Sequence, residues 1–231
     1  MNPSDSFDRY ADDYESALSR GLSVSGEDRD YFARGRVVWL SRRLRELGCP
    51  VSSVLDFGCG TGDTAPHLLG ELGADHVTGV DTSRPCLETA VSKFGSERVH
   101  FVPADEFRPS GDHDLVFCNG VFHHIPPPAR AEQVRWIWEC LRPGGLFAFW
   151  ENNPWNPGTR LVMWRIPFDR GAVKVSPPEA RRLLSDGGFQ VLLTDFQFVF
   201  PRALRSLRGL ESGLARLPLG AQYMVLARKP G

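Results

Sequence analysis

The stretch Val54-Leu55-Asp56-Phe57-Gly58-Cys59-Gly60-Thr61-Gly62-Asp63 constrains this chain more than any other feature. An apolar run ends in an acid, and glycines at alternate positions then lead into a helical pattern. Such a turn brings bare backbone to the carboxyl end of a strand, where any Cβ would hold a ligand away. Strand patterns over 51–57, 76–80, 99–102, 115–118 and 146–150 alternate with helical patterns over 64–72, 85–94 and 129–141. The alternation predicts an α/β fold, a doubly wound and mostly parallel sheet with helices on both faces. Two further strands, 189–200 and 222–228, are expected to close it as a hairpin-like edge, joined by a long basic helical connection.

Composition bounds the class. The chain has 231 residues, 42% hydrophobic and 24% charged, with a formal net charge of −1. These proportions suit one soluble domain and exclude collagen-like, coiled-coil and wholly disordered chains. No apolar run reaches the roughly 18 residues of a membrane span, and the polar start is not a signal peptide. The neutral balance argues against a nucleic-acid partner and gives no sign of a membrane partner. Cysteines 49, 59, 86, 118 and 140 make an odd set without a CxxC pair, so neither a disulfide framework nor a zinc site is expected. A reducing, cytoplasmic setting follows. The 27 basic residues include only Lys93, Lys174 and Lys229, a skew typical of a GC-rich bacterial genome.

The glycine turn admits two cofactor classes. A dinucleotide site asks for G-x-G-x-x-G with a pyrophosphate at the helix N-terminus. Here the third glycine position is Asp63, and Asp56 adds a second acid at the same mouth. That mouth suits a cation without phosphates, and S-adenosylmethionine carries a sulfonium and an ammonium.

Taken together, five ordered motifs resemble those of the class I S-adenosylmethionine-dependent methyltransferases. They are Val54 to Gly62, Val77-Thr78-Gly79-Val80-Asp81, Phe101-Val102-Pro103-Ala104-Asp105, Asp114 to His124, and Leu141-Arg142-Pro143-Gly144-Gly145. The resemblance implies a Rossmann-like, seven-stranded sheet with its last strand antiparallel and small lid elements. It implies one methyltransferase domain over 1–231: a helical lid over 1–30, a cofactor-binding core over 50–150, a substrate cover over 152–188 and edge strands over 189–231. Asp81 would hold the ribose hydroxyls, with Thr82 beside it, and Asp105 or Glu106 the adenine. Asp56, Gly58, Cys59 and Gly60 would line the methionine end, and Asn119 would offer its carbonyl to the ammonium. Tyr14 would close over the cofactor, and Arg34 or Arg36 would reach its carboxylate.

Acceptor chemistry is expected at the exits of the fourth and fifth strands. His124, with His123 as the fallback, is the candidate base, since histidine titrates near neutral pH without help. Each histidine would alternatively only pack or hold the cofactor's tail. Glu151 would orient and charge the histidine. Tyr10, Trp155, Trp164 and Phe168 are the candidate acceptor-pocket walls, or else a small core of the lid itself. No metal is expected. The resemblance points to methyl transfer onto a small molecule, O-methylation first, in secondary-metabolite or glycan tailoring, by a monomer or homodimer. An RNA or protein modifier and a non-catalytic binding module are the other two readings.

Overall fold

The computed structural model describes residues 25–166 and 171–231. Its first element is helix α1, Arg29–Glu46, capped where the Asp28 side chain accepts the amide of Tyr31 at 2.8 Å. Ala33, Val37, Leu40 and Leu44 recur at helical spacing and are buried, which fixes the face that packs inward. There follow β1 (Ser53–Phe57), α2 (Ala65–Gly70), β2 (His76–Asp81), α3 (Arg84–Phe94), β3 (Val99–Pro103) and β4 (His113–Asn119). Next come α4 (Arg130–Cys140), β5 (Leu141–Asn152), α5 (Pro157–Arg165), α6 (Pro177–Asp186) and β6 (Gln190–Gln197). A 3-10 helix at Arg202–Leu210, the short α7 (Glu211–Leu214) and β7 (Gln222–Arg228) complete the order.

The sheet has seven strands in the order β3-β2-β1-β4-β5-β7-β6. All pairs from β3 to β5 are parallel, and β7 alone runs against its two neighbours. The carboxyl ends of β1, β2, β4, β5 and β6 therefore share one edge with the start of β7.

Apolar residues in succession fill both faces of the central strands, as a doubly covered sheet requires. Val54, Leu115, Phe117, Leu146, Ala148 and Trp150 join the core beneath α1 and α2. Leu55, Val116, Cys118, Phe147 and Phe149 point the other way, into the core under α4 and α6. Phe149 is fully buried against Phe122 at 4.9 Å between ring centres. Truncating such a ring to alanine costs about 3–5 kcal/mol.

Three expectations need correction. Strand and helix do not alternate throughout, because β3 runs to β4 through the turn and loop 104–112 without a helix. The Arg142-Pro143-Gly144-Gly145 turn lies inside β5 rather than before it: His113 pairs with Leu141, and the ladder resumes at Leu115 and Leu146 past an irregularity. The stretch after β5 contains a real helix, α5. Asn156 caps it by accepting the amide of Thr159 at 3.0 Å, and Pro157 opens it, needing no partner for an N–H it lacks.

Candidate active site

A cavity of about 420 Å³ opens at the shared carboxyl edge. Its floor on one side is the glycine turn after β1. Gly58 has φ +74°, and a Cβ there would fall 2.3 Å from Val121 Cγ2. Gly60 has φ +53° with nothing within 4 Å of a built Cβ, so its bare backbone faces open space in the cavity wall. The Asp81 carboxylate secures the turn by accepting the amides of Gly60 at 2.8 Å and Ser83 at 2.9 Å.

Asp56 lines the cavity at 3% exposure. Burial pushes its carboxyl up to about 7; the charge of Asp81 adds to this and Arg36 offsets it. Asn119, at the end of β4, lines the same wall, and its buried Oδ1 has no hydrogen-bond partner among the described residues. Two residues with acceptor oxygens in one cavity wall fit a ligand with a cationic donor. Burial also holds the Cys59 thiol well above its ordinary range, so it serves as a neutral wall.

Across the cavity, His123 and Glu151 meet. The ring Nδ1 lies 2.7 Å from Glu151 Oε2, and the His123 amide donates to Oε1 at 3.2 Å. The Asn152 amide adds a third bond to the carboxylate, at 3.2 Å. Both side chains are almost fully buried, at 3% and 1% exposure. This corrects the expected pairing of Glu151 with His124. Gly120 turns the chain after β4, and the residue brought back over the end of β5 is His123. His124 still lines the cavity, its ring centre 4.0 Å from that of His123.

The remaining candidates divide by position. Arg36 lines the cavity and donates to Gln222 Oε1 at 3.0 Å, whereas Arg34 faces outward and pairs with Glu71. Asp105 and Glu106, past β3, are exposed and each reaches Arg84 at 3.0 Å. Thr82 is exposed beside Asp81. Trp155 and Trp164 are exposed and do not wall the cavity; the opposite face of α5 does so, with Thr159, Val162, Met163 and Ile166. Tyr10, Tyr14 and Phe168 lie outside the described residues. The expected repulsion from Asp63 is also weakened, because Arg29 neutralises that carboxylate.

Several lining residues escaped the sequence reading, among them Arg29, Phe32, Asn152, Phe198, Phe200 and Gln222. The 159, 162, 163 and 166 spacing was a readable helical face. Phe198 gave no signal: its φ of +64° and its packing on Phe32, 4.9 Å between ring centres, exist only in three dimensions.

The strand order, the glycine turn after β1 and the acid closing β2 define the Rossmann-like methyltransferase fold. A profile of the methyltransferase domain family matches residues 54–145. A trans-aconitate 2-methyltransferase from Deinococcus radiodurans is 29% identical over 73% of this chain and 71% of its own length. A tRNA U34 carboxymethyltransferase from Shewanella pealeana is 39% identical over 40% of this chain but only 29% of its own. A solved S-adenosylmethionine-dependent methyltransferase from Thermotoga maritima superposes with TM-score 0.69 over 99% of this chain and 100% of its own, at 17% identity. Residues 54–145 thus match a methyltransferase domain, and the chain is similar to the class I S-adenosylmethionine-dependent methyltransferases in sequence and fold.

Proposed function

We propose that this enzyme methylates a hydroxyl oxygen of a small-molecule acceptor, with His123 as the general base and Glu151 as its positioning partner. The observation that carries this reading is His123 in the cavity wall, hydrogen-bonded to the buried Glu151 behind it. A carboxylate costs too much to bury unless it is hydrogen-bonded, and Glu151 spends its oxygens on the ring and two amides. In return it fixes the tautomer, placing the proton on Nδ1 and leaving Nε2 as the basic nitrogen. A hydroxyl needs such a base, because its oxygen is a weak nucleophile until the proton departs.

Bound S-adenosylmethionine supplies the electrophilic methyl group. Its ammonium would meet Asp56 and Asn119, and its carboxylate Arg36. Asp81 would hold the ribose, and Asp105 or Glu106 the adenine once Arg84 gives way. His123 Nε2 takes the acceptor's proton as the acceptor oxygen attacks. Holding the reactants in line contributes on the order of 7–11 kcal/mol in favourable model systems. Helices α1 and α5 flank the cavity and would cover the bound reactants; most of the lid expected over 1–30 lies outside the described residues. The five free cysteines fit a reducing cytoplasm.

The Deinococcus relative's acceptor, by its name, is a carboxylic acid, and a carboxylate attacks without a base. The test therefore pairs an acceptor screen, trans-aconitate included, with the His123→Gln variant. Loss of turnover by about 10²–10⁴-fold with unchanged S-adenosylhomocysteine affinity supports the hydroxyl reading. Wild-type turnover on a carboxylate acceptor overturns it.

A further inference from the structure

The 3-10 helix Arg202–Leu210 is amphipathic in the opposite sense to an ordinary surface helix. Residues three apart eclipse one another in such a helix. Leu207 and Leu210 thus form one ridge, continued by Leu204 across a kink, and Arg202, Arg205 and Arg208 form another. Two arginines of the second ridge are tied to the protein, and Arg205 between them is exposed. Arg208 pairs with Glu27 at 2.8 Å, donates to the Phe200 carbonyl and lies over the Tyr31 ring, and Arg202 donates to the Gly26 carbonyl. The leucine ridge faces out, with Leu204, Leu207 and Leu210 exposed by 46%, 40% and 60%.

Other exposed apolar residues follow the ridge in sequence. Leu217 and Leu219 are half exposed, and Asn156 beside the exposed Trp155 donates to the Leu219 carbonyl at 2.7 Å. Nine of the twelve large exposed hydrophobic residues among those described fall within 155–173 and 204–219. The charge around them is positive. Arg202 and Arg205 are exposed, and Arg216 is exposed while reaching Asp195 at 3.4 Å, whereas Glu211 turns inward to accept the Phe200 amide and Glu27 is taken by Arg208.

We propose that this face docks on an anionic lipid bilayer. Projecting leucines need a partner that yields around them, and acyl chains do so without a matching groove. Arginines flanking such a ridge can reach lipid phosphates while the leucines enter the headgroup boundary. A formal net charge of −1, which gave no sign of a membrane partner, averages over this local patch. Phe198 to Pro201 wall the cavity and run directly into the ridge, so docking holds the cavity at the lipid surface.

Flotation of the full chain with vesicles of phosphatidylglycerol or of phosphatidylcholine tests the proposal. Wild-type protein should float with phosphatidylglycerol, be released by salt, and stay unbound with phosphatidylcholine. The double variant Leu207→Ser, Leu210→Ser should lose at least about tenfold in vesicle affinity, and Arg205→Glu should weaken it as well. Unchanged melting temperatures would show that both variants are folded. Absence of flotation with phosphatidylglycerol, or equal flotation of the double variant, overturns the proposal. So does a wild-type dimer that the leucine changes dissociate, since the face would then join two copies of the chain.

Discussion

The two halves of the cavity are built by different means. The half proposed for the cofactor uses bare backbone and short carboxylates from consecutive strand ends, Asp56 and Asp81, the latter accepting the amides of Gly60 in the glycine turn and Ser83 past β2. The acceptor half gathers side chains from α1, the loop after β4, the end of β5, α5 and the loop after β6. The first demands particular residue types at fixed spacing. The second demands only that chain segments far apart in sequence converge. Cofactor recognition is thus a local property of this chain and acceptor recognition a property of its tertiary structure.

The largest expected effect tests the acceptor half. His123→Gln should lower kcat by about 10²–10⁴-fold, and Glu151→Gln should cost less, because the ring remains though its tautomer is no longer fixed. Steady-state kinetics with calorimetric cofactor affinity as the control would check both. A larger loss for His124→Gln than for His123→Gln would reverse the assignment.

The cofactor half should fail differently. Asp81→Ala removes the acceptor for the Gly60 and Ser83 amides as well as the proposed ribose contact. Each lost charge-assisted bond costs about 1.5–3 kcal/mol, so cofactor affinity and melting temperature should fall together. An affinity loss at constant melting temperature would show that the turn holds itself.

Proton linkage at Asp56 gives a third measurement. Its folded carboxyl titrates at about 7, above the ordinary range for aspartate. The folded free protein therefore binds the proton more tightly than the unfolded chain, and its stability declines as pH rises through that interval. Asp56→Asn should flatten this decline. Cofactor binding runs the opposite way, since a cationic ligand prefers the ionised carboxylate. Affinity should weaken about tenfold between about pH 8 and pH 6, measured by calorimetry. A pH-independent affinity would take Asp56 out of the contact.

The smallest effect separates the inner face of α5 from the exposed residue just before its cap. Met163→Ala, buried in the cavity wall, should raise the acceptor KM and cost about 2–5 kcal/mol of stability. Trp155→Ala, exposed on the outer side, should change stability by no more than about 0.5 kcal/mol and leave turnover as it was. Equal kinetic losses would mean that the exposed tryptophan closes over the acceptor.

Legibility in the sequence follows the same division. The mostly parallel seven-stranded sheet and the position of the glycine turn were readable because glycines and acids at strand ends have few interchangeable substitutes. Helix α5 was readable in principle from Asn156-Pro157 and its apolar spacing, but tryptophans at 155 and 164 drew attention to the wrong face. The choice between His123 and His124 was not readable. It turns on the φ of Gly120, +68°, which sets the direction in which the chain leaves β4. Phe198 was invisible because its neighbours come from a helix at the other end of the chain.

Helix α1 also has a consequence for the order in which the molecule assembles. Trp39 and Arg43 donate to the fully buried Asp195, 156 and 152 residues further along. Arg36 reaches Gln222 across 186 residues, and Glu27 meets Arg208 across 181. On the ribosome, α1 emerges long before the strands that accept these bonds. Contacts of such separation carry a high loop-closure cost and form late. The helix must therefore wait for these polar partners until β6 and β7 have been made, although α2 and β1 already cover part of its apolar face. That interval is when the nascent chain has most need of a chaperone.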